Sequence, residues 1–459
     1  MTAAREEVTT DVLRGRVRAM MPRLQADLAD LVAIRSVSEA GYPAHTRPAI
    51  LAARDRVVAL FADAGCTDLR SLELPDTAPI VLGGIPAPPG APTVLLYAHY
   101  DVVGVGDESE WRTPPFEPVV RDGAMYGRGA ADTKCNILAL VGALRAWDGR
   151  PPVGIRLVIE GQEEVGGGAL LGYPEQHPEE FAADLMVIAD MGNVRPGVPT
   201  LTVALRGIAD VTVEVRTLGS AKHSGQYGGA APDALLALVR ALSTLHDEKG
   251  DVAVAGLRRD PWPDGADEEE FRSLAEVAPG VPLIGSGDLS SRIWSGPAIT
   301  VIGVDAPPVD DALHAVNPHA RALLNLRVHP EQDAGEAQAA LMEHLRRALP
   351  YGIALDVTGG MTGDGFAART TSAAYVAARA AWSAAWGAEA VTVGSGGSIP
   401  LVSSLSRAAP GADIILAGAT DGFANIHGPN ERVMVDEVEK ATLAVADLFG
   451  RLAPSGGAT

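Results

Sequence analysis

His99, Asp132, the pair Glu163 and Glu164, Asp190 and His427 are the residues of this sequence whose types and spacing could do chemistry. Four of the five positions follow short apolar runs. His99-Tyr100-Asp101 comes after 93–98 (TVLLYA), Glu160-Gly161-Gln162-Glu163-Glu164 after 155–159 (IRLVI), Asp190 after 185–189 (LMVIA), and His427, in N-I-H-G-P-N-E, lies beyond a run at 413–417. Asp132 instead opens a stretch in which Ile137, Leu138, Val141 and Leu144 recur at helical spacing. Runs of β-branched and aliphatic residues this short read as buried parallel strands. Ligands of an open parallel sheet bind beyond the carboxyl ends of its strands, where loops converge. Singly, each residue has a plainer reading: a histidine after a strand as a loop or core residue, an aspartate at a helix start as a cap, adjacent glutamates as a solvated turn. Together, two imidazoles and three carboxylates on one rim match the nitrogen and oxygen ligands of paired divalent metals, zinc first and then manganese or cobalt.

The elements that must position these groups alternate strand, helix and strand, as in an α/β layer. From residue 201 the pattern changes to period two (Val211, Val213, Val215), then a helix at 232–246, strands at 298–304 and 322–328, a helix at 332–349 and a strand at 353–357. That β-α-β-β-α-β order is the ferredoxin-like arrangement, interrupted by an insertion at 250–296 that reads as irregular. The α/β pattern resumes with a helix at 371–386. The predicted fold class is therefore α/β: a mixed, largely parallel sheet domain formed by 1–205 and 361–459, with a ferredoxin-like α+β domain at 206–360 inserted into it. Residues 454–459 read as a disordered tail.

The chain has 459 residues, 37 Lys+Arg against 58 Asp+Glu, and a net charge of −21. A mean field of that sign repels nucleic acid and anionic lipid, so neither is an expected partner. The two cysteines, Cys66 and Cys135, lack the spacing of a thiolate zinc site or a disulfide framework. No apolar leader and no long apolar run is evident, and the expected location is cytoplasmic. The sequence holds no G-x-S-x-G elbow, phosphate loop, dinucleotide fingerprint or H-E-x-x-H helix. With four lysines (Lys134, Lys222, Lys249, Lys440) it offers few Schiff-base candidates.

In order along the chain, H-Y-D-V-V (99–103), W-R-T-P-P-F-E-P (111–118), Y-G-R-G-A-A-D-T-K (126–134), E-G-Q-E-E-V-G (160–166), Asp190, R-G (206–207), H-S-G-Q-Y-G-G (223–229) and H-G-P-N-E (427–431) resemble the dinuclear zinc aminoacylase, carboxypeptidase G and carnosinase family of metallopeptidases. The H-S-G-x-Y-G-G segment and G-G-S-I-P (396–400) are most similar to its carnosinase-type dipeptidase branch. The resemblance implies one metal on His99 and Asp190, a second on Glu164 and His427, and Asp132 bridging both. It makes Asp101 the carboxylate that fixes the His99 tautomer and Glu163 the general base. It makes the inserted domain a lid and dimerisation module whose His223 stabilises the oxyanion in the partner subunit's site. Arg327 would take the substrate carboxylate and Ser398 the substrate main chain. Thr133, Cys135 and Lys222 depart from the family pattern, which leaves the ligand set complete but metal preference and exact substrate open.

The function expected is metal-dependent hydrolysis of the amide bond of dipeptides or short peptides by a homodimer. N-acyl or N-carbamoyl amino-acid amidohydrolysis is the alternative. Two-metal phosphoester hydrolysis would need cations around the phosphate, for which the rim motifs offer few beyond Arg128 and Lys134. A non-catalytic binding protein would be expected to lack the base or a ligand, and neither is missing.

Overall fold

A computed structural model of the chain describes residues 8–262, 265–397 and 399–454. Ser398 and the tail beyond Pro454 lie outside the described residues. The chain divides into two compact units. The first comprises 1–203, 368–392 and 400–459, and the second 204–367 with 393–399.

The first unit is built on a central sheet in which strands Thr67–Leu72, Ile80–Ile85, Gly154–Glu160, Thr93–His99, Leu185–Ile188, Asp413–Leu416 and Thr200–Leu205 lie side by side in that order. The four from Gly154–Glu160 to Asp413–Leu416 run parallel, so their carboxyl ends share one rim. Their side chains are buried on both faces, which is why they appear in the sequence as continuous apolar runs rather than as alternation. Helices Thr10–Val32, Cys135–Ala146, Ala373–Trp386 and Val435–Leu452 pack against one another around a large apolar core. Gly142 lies where Cys135–Ala146 meets Thr10–Val32 and Val435–Leu452: a Cβ there would fall 2.7 Å from Thr442 Cγ2 and 2.8 Å from Leu24 Cδ1. The helix expected from Asp132 is regular only from Cys135, because Asp132 and Thr133 have non-helical dihedrals. Asp132 caps nothing, its carboxylate being engaged elsewhere.

The second unit is a four-stranded antiparallel sheet in the order Ala298–Asp305, His319–Val328, Gly207–Arg216, Asp356–Gly363. Helices Ala234–Leu242 and Ala334–Ala348 bury Leu238, Leu341 and Leu345 in the same core as Val211, Val213 and Leu324. The last strand lies later than its expected place at 353–357. Leu349, Tyr351 and Gly352 take positive φ in a turn, and the pairing falls on the glycine-containing Asp356–Gly363, which carries no apolar alternation. The insertion is also more ordered than expected. It holds a helix, Glu268–Leu274, and is tied together by Asp251, which accepts from Arg259 Nη1 at 2.6 Å and from Ser286.

Candidate metal centre

His99 ends its strand fully buried, wedged between carboxylates. Its Nε2 lies 3.1 Å from Asp132 Oδ1 and 3.2 Å from Asp190 Oδ1, while Nδ1 lies 3.3 Å from Asp101 Oδ1 and 3.1 Å from the Asp101 carbonyl. On the other side of Asp132, His427 Nε2 lies 3.2 Å from Asp132 Oδ2 and 3.0 Å from Glu164 Oε2. Two ligand-type clusters result, His99–Asp132–Asp190 and Asp132–Glu164–His427, each with its nitrogen and oxygen atoms within 4.8 Å of one another. Asp132 belongs to both and gives one oxygen to each.

Asp101 ties the rim together. Besides its contact with His99, its two oxygens accept from the backbone amides of Glu163 and Glu164, each at 3.1 Å. One buried carboxylate thus orients an imidazole of the first cluster and the peptide that presents the base candidate and a member of the second. Glu163 belongs to neither cluster.

The electrostatics are those of crowded negative charge. Burial pushes the Glu163 carboxyl well above the usual range, with Asp190 adding to the effect, and burial takes Glu164 to about 7. Burial would raise Asp132 too, but hydrogen bonds from His427 and His99 outweigh it and hold that group below the usual carboxylate range. Hydrogen bonds to Asp132 and Glu164 take His427 to about 10. His99 is raised as well: burial opposes its charge, but Asp190, Asp101 and Asp132 overcome that opposition. A nest of carboxylates that draws protons onto its imidazoles is a nest that favours cations. Glu164 Oε1 is buried and has no hydrogen-bond partner among the described residues, the kind of orphaned acceptor that a coordinated cation would satisfy. The nitrogen and oxygen donors fit divalent zinc, manganese or cobalt.

Other residues brought to the rim were not singled out from sequence. Glu160 is buried, accepts from Tyr97 Oη at 2.8 Å, and is pushed up to about 8 by burial. Glu431, the last residue of H-G-P-N-E, is buried and accepts from Arg128 Nη1 at 2.5 Å, from the amides of Gly129 and Ala131 at 3.1 and 2.8 Å, and from the Asp132 amide at 3.0 Å. The available signal was an arginine inside Y-G-R-G-A-A-D-T-K and a glutamate closing H-G-P-N-E, each needing an opposite charge if buried. Arg128 is committed to that ion pair. Lys134 is buried too, donating to the carbonyls of Leu31 and Ile34 at 3.0 and 2.9 Å, with burial lowering its pKa to about 7. Neither cation is available to a substrate phosphate, which removes the support for phosphoester chemistry. Thr133 donates to the Ala189 carbonyl at 3.1 Å and Cys135 to the Ala131 carbonyl at 3.2 Å, so these two of the three departures from the family pattern are absorbed in packing.

In the second unit, His223 is exposed and accepts from the Gly225 amide at 3.1 Å, starting the helical turn Ser224–Tyr227. Arg327 pairs in register with Ile208 and Ala298; burial lowers its pKa, and Asp210 offers a counter-charge.

An α/β fold carrying two ligand-type clusters that share one carboxylate has the donor set of a metal-dependent hydrolase. Residues 95–451 match the family described as Peptidase family M20/M25/M40. The cysteinylglycine-S-conjugate dipeptidase of Corynebacterium striatum is 41% identical over 379 residues, spanning 80% of this chain and 82% of that protein. The Beta-Ala-His dipeptidase of Rattus norvegicus is 26% identical over 442 residues, 90% and 85% of the two chains. Among solved structures, the di-peptidase Dug1p of Saccharomyces cerevisiae superposes with a TM-score of 0.81 at 20% identity, covering 98% of this chain and 100% of that one. Human carnosine dipeptidase 1 gives 0.79 at 22%, covering 97% and 98%. The chain belongs to peptidase family M20/M25/M40, in the carnosinase-type branch.

Proposed function

We propose that the chain hydrolyses the peptide bond of dipeptides and other short peptides, with Glu163 as general base. The observation that carries the reading is Asp132, whose two oxygens face imidazoles of two separate clusters. His99 and Asp190 would hold one cation, Glu164 and His427 the other, with Asp132 shared; we take zinc as the metal, with manganese or cobalt as substitutes. A cation pair held there would supply Lewis acidity, of the kind that lowers the pKa of water toward ~7 and polarises a scissile carbonyl.

The chain's own groups do the rest. Asp101 keeps His99 in one tautomer and fixes the Glu163–Glu164 backbone. Glu163, free of both clusters, takes a proton from the attacking water and returns it to the departing amine. The name of the 41%-identical relative supports small dipeptides, including S-conjugates of cysteinylglycine, as substrates. Turnover should be assayed on cysteinylglycine, its S-alkyl conjugates, β-alanyl-histidine, and N-acetyl and N-carbamoyl amino acids. Turnover confined to the last two classes would overturn the dipeptidase reading in favour of an amidohydrolase.

We assign the active form as a homodimer, in which His223 steadies the oxyanion in the partner's site while Arg327 and Ser398 engage the substrate carboxylate and main chain. The outer strand Ala298–Asp305 supports this. It leaves Val301, Ile302 and Val304 exposed at 42%, 53% and 50%, and its outer edge has no strand partner among the described residues, a surface that a second copy would cover. Among the described residues no helix is long and apolar enough to cross a membrane. Two buried, unpaired cysteines support the cytoplasm as the place of work.

A further inference from the structure

We infer that the buried ion pair Arg128–Glu431 is a clip that positions the shared ligand Asp132 and the His427 loop together, so that the two halves of the metal centre gain or lose affinity as one unit. The inference rests on the ligand assignment above and adds two positioning residues to it.

The geometry converges from two directions. Glu431 spends its four bonds on the turn that carries Asp132: Oε2 takes Arg128 Nη1 and the Gly129 amide, and Oε1 takes the amides of Ala131 and Asp132 themselves. The Glu431 carbonyl also accepts from the Gly127 amide at 3.0 Å, and the strand that follows it, Arg432–Met434, pairs with Ala124–Tyr126. The backbone on both sides of that turn is therefore held from one residue. Arg128 closes the arrangement from the other end. Its Nη2 donates to the carbonyl of Gly428, the residue after His427, at 3.2 Å, and to the Gly104 carbonyl at 3.3 Å, three residues past Asp101. Its guanidinium lies 5.3 Å from the centre of the Trp111 ring.

His427 needs such support. It has φ 61°, and Asn425 and Asn430 in the same loop also take positive φ, a conformation that non-glycine residues keep only when their surroundings hold it. His427 is half exposed, so packing does not hold it. The loop is pinned instead by Arg128 at Gly428, by Asn430, whose Oδ1 accepts from the Arg112 amide at 2.7 Å, and by Asn425, whose Nδ2 donates to the Pro429 carbonyl at 2.5 Å. A fork of fixed shape can bind Glu431, Gly428 and Gly104 at once; the single ammonium of lysine cannot.

The test is calorimetric titration of the metal-free full-length protein with zinc, with cobalt absorption as a second readout, on wild type, Arg128→Lys and Glu431→Gln. Arg145→Lys serves as control, because it loosens another ion-pair network, of a buried arginine with Asp27 and the exposed Asp63, at the opposite end of helix Cys135–Ala146 from Asp132. Each clip variant should weaken both binding steps together, by ~10–100-fold, the range typical of groups that orient metal ligands, and should alter the cobalt spectrum, while Arg145→Lys leaves both steps within twofold of wild type. Loss at one step only, or no loss in either clip variant, overturns the clip. Should Glu431→Gln not fold, Arg128→Lys decides; failure of both to fold makes the pair a folding element and overturns the inference. A wild type that binds no cation pair overturns the ligand assignment as well. A wild type that binds two while the clip variants bind equally well overturns the clip alone.

Discussion

His99 and His223 are both assigned to the same reaction, yet their surroundings are opposite. His99 is fully buried and touches three carboxylates, of which Asp101 and Asp132 have further partners of their own, so its ring orientation is determined several times over. His223 is exposed and holds one backbone amide two residues away. The contrast separates two requirements. A group that binds a permanent cation benefits from being fixed before the cation arrives, because ordering it later would cost affinity. A group proposed to meet a transient oxyanion in a partner's site need be completed only when the subunits assemble.

Variants sharpen the contrast. The largest effect is expected from Glu163→Ala, with turnover reduced by ~10²–10⁴ while metal content and melting temperature stay as in wild type; undiminished turnover would remove Glu163 as the base. His223→Ala should cost ~10²–10³ in kcat with no loss of metal. Mixing it with Glu163→Ala subunits should restore activity to the hybrid dimers, and absence of restoration would place the histidine in its own subunit's site. Asp101→Asn should act on the buried side of the comparison, weakening metal binding by ~10–100-fold, readable by dialysis against a chelator.

The smallest effect concerns pH. Burial takes Glu160 to about 8, above its ordinary value, so as pH rises the unfolded chain loses this proton first. Across the window from the ordinary glutamate range to about 8 the folded state carries the extra proton, and this group's contribution to stability falls as pH rises. Glu160→Gln should flatten the melting temperature of the metal-free protein across that window; an unchanged slope would mean that another group sets it.

The sequence made the parallel strands and their rim legible because strands buried on both faces leave uninterrupted apolar runs, and because ligand-type residues followed several of them. The alternation of the second unit was equally plain at Val211, Val213 and Val215. Other features had no such signal. Strand Asp356–Gly363 contains Gly359 and Gly360 and is held by pairing with Ile208–Glu214 rather than by its own pattern. The turn at Asp132 resembled a helix start because the apolar spacing beyond it is helical, and nothing local shows that the first residues are diverted to hold a shared carboxylate. Glu431 and Arg128 were visible as motif members but not as partners, since 303 positions separate them along the chain. Pairing at that distance is a property of the folded topology.

The ammonium of Lys134 has its socket in the carbonyls of Leu31 and Ile34, at the end of helix Thr10–Val32, well ahead of the family-matched span that begins at residue 95. A fragment trimmed to that span would leave the Lys134 amine without these acceptors two positions from Asp132. The smallest workable catalytic piece therefore has to include the amino-terminal helix, and fusions or deletions designed from the matched region alone would amputate part of the active site's foundation.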